Sequence, residues 1–190
     1  MANTIRHKSP EAWDEQYRSG DWNYLKNVEQ IPRYAIIAGW IKSLINPQGS
    51  VLDIGCGEGL LLEWLTAEIH YDGVDVSAVA IDKARANYLT AQRTFHCTSA
   101  ESFLQLCDTK FDCVVFNEVL YCCVAPFRLL ASYERLLKAG GYLLLSVTGF
   151  EPDFWNDIRR FYGNRFAFCL RVEDCYLGKS WNLAVIASDR

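Results

Sequence analysis

The run Val51-Leu52-Asp53-Ile54-Gly55-Cys56-Gly57-Glu58-Gly59 constrains the fold more than any other stretch of the chain. A short apolar strand runs into three glycines at alternate positions, and segment 58–68 follows with the length of a helix. A strand that turns into a helix through glycines leaves bare backbone and exposed amides where a ligand's electronegative atoms can approach. Twenty residues after Gly55, the next strand ends in Val74-Asp75-Val76-Ser77. A carboxylate there is placed to accept hydrogen bonds from both hydroxyls of a ribose.

The spacing discriminates between ligands. It reads G-x-G-x-G, and Leu60 stands where the dinucleotide fingerprint G-x-G-x-x-G requires glycine or alanine. Asp53 precedes the loop; an anion there opposes a pyrophosphate and favours a ligand carrying an ammonium and a sulfonium. A plain tight turn is the bland reading of the glycines, and it leaves both Asp53 and Asp75 without a purpose.

From Ser50 onward the pattern alternates. Apolar runs near 50–55, 70–75, 93–97, 111–117 and 141–147 read as strands, separated by helical segments near 58–68, 77–90, 99–107 and 124–138, with Gly140-Gly141 closing the last of these. This order predicts an α/β fold with a mostly parallel sheet and helices on both faces. The continuous apolar runs Cys113–Phe116 and Tyr142–Leu145 suit strands buried on both sides. A helix near 152–162 then precedes two strand-like runs, Phe166–Val172 and Trp181–Ala187, with a turn at Gly178 between them. With no helix separating them, the two should pair as an antiparallel hairpin. Ahead of the core, 10–19 reads as a short helix ended by Gly20, and Pro32 opens a second helix with Ile37, Ile41 and Leu44 as its apolar stripe.

At 190 residues, the length suits one domain, with 1–46 as an N-terminal helical cap and 50–190 as a Rossmann-like core. A net charge of −4 does not suit a protein that holds nucleic acid by neutralising phosphates. The opening Met1–Lys8 has no apolar run behind its charges and no stretch reaches the length of a membrane span, so the expectation is a cytoplasmic chain. None of the eight cysteines forms a C-x-x-C pair and the three histidines lack zinc-ligand spacing, so the thiols read as structural and no metal is expected.

The glycine loop with Asp53 and Asp75 resembles the first motifs of the class I S-adenosylmethionine-dependent methyltransferases, and the resemblance runs from about residue 50 to the end. It implies a seven-stranded sheet whose last strand is antiparallel, with S-adenosylmethionine as cofactor and S-adenosylhomocysteine as product. On that resemblance Gly55, Cys56, Gly57 and Gly59 form the loop against the methionine part and the adenosine. Asp53 helps hold the amino group, Asp75 binds the ribose hydroxyls and Val76 packs on the adenine. Ser99-Ala100-Glu101 aligns with the third motif, with serine in its usual acidic position, so either Ser99 or Glu101 would meet the adenine amino group. Asn117-Glu118-Val119-Leu120-Tyr121 aligns with the fourth, whose tip faces the transferable methyl; Leu136–Gly141 also resembles the family's helix-to-strand junction.

Methyl transfer is an in-line displacement that depends on positioning and desolvation. Glu118 and Tyr121 are the candidate catalytic residues, Glu118 to take a proton or hold a substrate ammonium and Tyr121 to orient the acceptor. Ordinary polarity at a strand end is the alternative for both. Trp13, Tyr17, Trp22 and Tyr24 form an aromatic set ahead of the core. By analogy with related enzymes they fold over the cofactor, with Arg33 meeting its carboxylate; the alternative is a helix packed on the core with Arg33 in solvent. Phe150, Phe154 and Trp155 read either as acceptor-pocket wall or as core. Arg159, Arg160, Arg165 and Arg171 read as a solvated face or as readers of an anionic substrate.

Glu118–Tyr121 resembles, over a short stretch, the nodulation-type N-methyltransferases of small amines. Val119 and Leu120 occupy the proline positions of the Asn/Asp-Pro-Pro-Tyr signature of enzymes acting on planar nitrogens. The expected reaction is methylation of an amine or hydroxyl of a small biosynthetic intermediate by a monomer or homodimer, with no membrane or nucleic-acid partner. Methylation of a peptide, protein or RNA, and a non-catalytic cofactor-binding subunit, remain as alternatives.

Overall fold

The computed structural model describes residues 8–149 and 152–188. Among them, β1 (Ser50–Ile54), β2 (His70–Asp75), β3 (Arg93–Cys97), β4 (Phe111–Asn117), β5 (Leu137–Thr148), β6 (Phe166–Glu173) and β7 (Ser180–Ala187) form one sheet in the order β3-β2-β1-β4-β5-β7-β6. The first five strands are parallel, and β7 runs antiparallel to both β5 and β6. The expected C-terminal hairpin is therefore present, with its second strand inserted into the sheet rather than added at the edge.

Two apolar layers cover the sheet. On one face α2 (Ile31–Leu44) and α3 (Ala78–Tyr88) pack Ile37, Ile41, Ile81 and Ala84 against Val51, Tyr71, Val115 and Leu144. On the other, α4 (Ala100–Leu106), α5 (Pro126–Tyr133) and α6 (Pro152–Tyr162) pack Phe103, Leu130, Tyr133 and Ile158 against Leu52, Val114, Leu143 and Ile186. Alternate residues of the central strands point into opposite layers, which is why those strands are apolar throughout. The helix α1 (Pro10–Ser19) has Ser9 as N-cap and ends at Gly20, whose φ of 86° lies in the left-handed region.

Two expectations need correction. Segment 58–68 is not a helix: a single 3₁₀ turn, Leu60–Glu63, follows the glycines. Its leucines are consecutive rather than at helical spacing, and Leu61 and Leu62 both enter the core. α2, arriving from before the first strand, packs in the same core layer as these two leucines. The second concerns 124–138, where α5 stops at Tyr133, a 3₁₀ turn Glu134–Leu136 follows, and Gly140-Gly141 lie within β5. Leu136 and Leu137 are both buried, Leu137 already pairs with Phe111, and the register between β4 and β5 shifts between Phe111 and Cys113. Gly140 sits in that irregular stretch.

Candidate active site

The carboxyl ends of β1, β2 and β4 open into a cavity of about 1010 Å³ roofed by the N-terminal segment. This is the crevice where open parallel sheets hold their ligands. The volume is at the upper end of the range for ligand pockets, about 300–1,000 Å³, and leaves room for a cofactor and a small acceptor together.

The loop after β1 is tied to β2, since the Gly55 and Cys56 amides both donate to the Val74 carbonyl at 2.8 and 3.0 Å. Gly55 has φ 72°, and a Cβ there would collide with Val119 Cγ2. At Gly57, with φ 55°, a Cβ would fall 2.6 Å from the Tyr17 hydroxyl. Both glycines are required, the first by the tip of β4 and the second by the roof. Gly59 does not line the cavity; it starts the 3₁₀ turn and faces Tyr88 and Ala84.

Asp75 ends β2 with its carboxylate held by two backbone amides, Gly57 N–H on Oδ2 and Ser77 N–H on Oδ1, both at 2.9 Å. Asp53 lies in β1 and is buried; its Oδ2 accepts from Tyr71 Oη at 2.7 Å. Its Oδ1 is buried with no hydrogen-bond partner among the described residues, a costly arrangement in a protein interior. Burial pushes the Asp53 carboxyl from 3.8 to about 7; the Tyr71 hydrogen bond opposes that push, Asp75 adds to it and the Arg33 charge opposes it. Asp75 is raised by the same burial, with its backbone hydrogen bonds pulling it back.

Arg33 is buried on α2 rather than solvated, with its guanidinium stacked 4.4 Å from the Tyr34 ring centroid. It donates to Asn117 Oδ1 at the end of β4 and to Gln30 Oε1 at 3.1 Å. Such a planar cation on a cavity wall suits a ligand carboxylate.

The roof is aromatic. Trp22 packs against Trp13, Tyr17 and Tyr24 at centroid separations of 5.7, 6.1 and 5.9 Å. Ion pairs fasten the roof to the core. Glu58 is shared by Lys26 (2.6 Å) and Lys83 (2.7 Å), and Lys179 pairs with Glu29 at 3.0 Å. Burial alone would raise the Glu58 carboxyl, but the two lysines outweigh it and hold it low.

At the end of β4, Glu118 has φ 62°, in a region that costs a side-chain-bearing residue roughly 1–2 kcal/mol. Its Oε1 accepts from Ser146 Oγ at 2.7 Å and its Oε2 from Tyr121 Oη at 3.1 Å, while its N–H donates to the Ser146 carbonyl at 3.0 Å. Burial pushes the Tyr121 phenol well up, the Glu118 charge adds to this and Arg33 opposes it. A strained residue held by three hydrogen bonds is the kind of arrangement found at reaction centres.

Thus Asp53, Gly55, Cys56, Gly57, Asp75, Val76, Ser99, Ala100, Glu101, Asn117, Glu118, Tyr121, Trp13, Tyr17, Trp22 and Arg33 all lie on one cavity wall. Ser99 is occupied as the N-cap of α4, accepting from Ser102 N–H at 3.1 Å, whereas Glu101 presents a carboxylate from the first turn of that helix. Phe154 and Trp155 are core residues of α6 and leave the cavity wall to others; Phe150 lies outside the described residues. The four arginines are dispersed: Arg160 pairs with Asp157, Arg165 with Glu134, Arg171 donates to Ser180 Oγ, and Arg159 is exposed.

Sequence reasoning missed Ser146, Gln30 and Lys179. A lone serine inside the apolar run of β5 was the available signal for Ser146; nothing local marks the other two. Among the described residues, no side-chain group of three or more could hold a metal ion and no helix is long and apolar enough to cross a membrane.

Residues 52–145, about half of the chain, match the model of a methyltransferase domain. The ubiquinone biosynthesis O-methyltransferase of Dechloromonas aromatica (strain RCB) is 32% identical over 117 residues, covering 60% of this chain and 50% of its own. The chain spans about half the length of the curated relatives it matches. Among solved structures, the N-methyltransferase NodS from Bradyrhizobium japonicum WM9, in complex with S-adenosyl-L-homocysteine, superposes with a TM-score of 0.78 at 17% identity, covering 96% of this chain and 100% of that one. The plantazolicin methyltransferase BamL gives 0.73 at 15% identity, covering 99% and 96%. At these identities the structural likeness concerns the fold alone. Together with the domain match through the glycine loop and β4, this means the chain belongs to the class I S-adenosylmethionine-dependent methyltransferase family.

Proposed function

We propose that the protein binds S-adenosylmethionine in this cavity and transfers its methyl group to an amine or hydroxyl of a small molecule. The observation that carries the reading is the buried Asp53 Oδ1, which has no hydrogen-bond partner among the described residues and lies on the wall of a cavity that also holds Asp75 and Arg33. An ammonium, a ribose diol and a carboxylate are complementary to those three groups. Asp53 would take the amino group, Arg33 the carboxylate and Asp75 the ribose hydroxyls. Glu101, whose neighbour Ser99 is engaged in capping, would accept from the adenine amino group. When bound, the cofactor supplies an electrophilic methyl on a sulfonium. The aromatic roof excludes water from the reacting atoms. Glu118 receives the acceptor's proton or orients its ammonium, and Tyr121 fixes the approach.

Both an O-methyltransferase and an N-methyltransferase are among the similar proteins, and Glu118 serves either acceptor. Ser146→Ala removes one hydrogen bond to the Glu118 carboxylate and is expected to slow methyl transfer about tenfold while leaving cofactor affinity unchanged. Transfer of labelled methyl, beside calorimetry on the same variant, checks both halves.

Calorimetric titration with S-adenosylmethionine and S-adenosylhomocysteine tests the cofactor assignment, and its pH dependence tests the pose. Between about pH 4 and about pH 7 the ligand-free folded chain keeps a proton on Asp53 that the unfolded chain has lost. The folded state therefore binds more protons in that window, and this group makes stability fall as pH rises through it. A ligand ammonium beside Asp53 favours the ionised form instead. Binding below about pH 7 should then release a proton, and affinity should climb from about pH 5 and level off above 7. Asp53→Asn should abolish both effects. No binding by the folded wild type would sink the reading; binding without proton release would move the ammonium away from Asp53.

A further inference from the structure

We propose that Asp14, on α1, is a positioning residue for the ribose end of the cofactor site, acting through Ser77 on Asp75; the inference rests on the cofactor reading above. Asp14 does not line the cavity. Its Oδ1 accepts two hydrogen bonds from the start of α3, from Ser77 Oγ at 2.6 Å and from Val79 N–H at 3.1 Å.

The first turn of α3 explains why an outside acceptor is needed. A helix begins with amides that have no partner within it. Ser77, the N-cap, satisfies the Ala80 amide at 3.1 Å through its own Oγ. The position where a capping box would carry Glu or Gln is Ala80, and no acidic residue lies in that first turn. Asp14 supplies the missing acceptor for Val79 from a helix 65 residues earlier in the chain. It also accepts a hydrogen bond from the Ser77 hydroxyl, which orients that hydroxyl to accept from Ala80.

The same residue, Ser77, gives its backbone N–H to Asp75 Oδ1. The Asp75 carboxylate is held by two amides, and one of them belongs to the residue that Asp14 grips. Losing Asp14 frees the first turn of α3 and lets the Ser77 amide drift, which loosens one of the amides that orient Asp75. α1 buries no residue of its own, so the substitution removes this contact without opening the core.

The test uses the whole chain with Asp14→Ala and Asp14→Asn, titrated with S-adenosylhomocysteine and with 5′-methylthioadenosine, which keeps the ribose and adenine but lacks the amino acid. Asparagine retains the Oδ1 that makes both contacts. The expected result is about tenfold weaker binding of both ligands by Asp14→Ala, with affinity restored by Asp14→Asn. Amide exchange at Ser77 and Val79 should quicken in the alanine variant alone. Unchanged affinity in Asp14→Ala overturns the proposal. So does a loss confined to S-adenosylhomocysteine, which would place the effect at the amino-acid end. A wild type that binds neither ligand overturns the cofactor reading itself, and this inference with it.

Discussion

Asp75→Ala is expected to weaken S-adenosylhomocysteine binding by at least about a hundredfold, measured by calorimetry. A carboxylate that accepts both ribose hydroxyls forms two charge-assisted hydrogen bonds, each worth about 1.5–3 kcal/mol. The substitution also leaves the Gly57 and Ser77 amides without their acceptor, so the loop loses the group that shapes it. Asp75→Asn keeps one acceptor oxygen and should fall between the two. If Asp75→Ala bound the ligand as the wild type does, the ribose would have to lie elsewhere in the cavity.

Glu118→Gln is expected to lower the rate of methyl transfer by about a hundred- to ten-thousandfold, the range usual for losing a general base, with cofactor affinity unchanged. The readout is transfer of labelled methyl from S-adenosylmethionine to an acceptor identified by screening amines and hydroxyls. Glutamine preserves the size of the side chain and an oxygen for Ser146 or Tyr121, so the comparison isolates the charge. Were transfer to survive intact, Glu118 would be only a structural plug at the end of β4, and positioning alone would carry the reaction.

The parts of the fold and site that were legible in the sequence are those written in local pattern. The glycine loop, the carboxylates ending or interrupting apolar strands, and two adjacent strands without an intervening helix all declare themselves within about ten residues. The 3₁₀ turn at Leu60–Glu63 did not, because a run of apolar residues fits a buried helix and a buried turn equally well. The early end of α5 was hidden for a related reason: Leu136 and Leu137 are both apolar and buried, and only the pairing of Leu137 with Phe111 marks where the strand begins. Asp14 and Lys179 act on partners 63 and 150 residues away, Ser77 and Glu29, and no periodicity points across such distances. The strain at Glu118 is likewise a product of tertiary context. Its φ is fixed by the Ser146 carbonyl and hydroxyl on the next strand.

The place of β7 between β5 and β6 sets an order of events during synthesis. β6 leaves the ribosome before β7, yet β7 is its neighbour in the sheet, and the free edge of β5 waits for the same strand. At roughly 5–20 residues per second, that edge stays open for about 2–8 seconds while residues 149–187 are made. An open apolar edge is a template for wrong pairing. A nascent chain halted before Ser180 would therefore lose two strands for the price of one, and its half-finished sheet is the form most exposed to aggregation and to capture by chaperones.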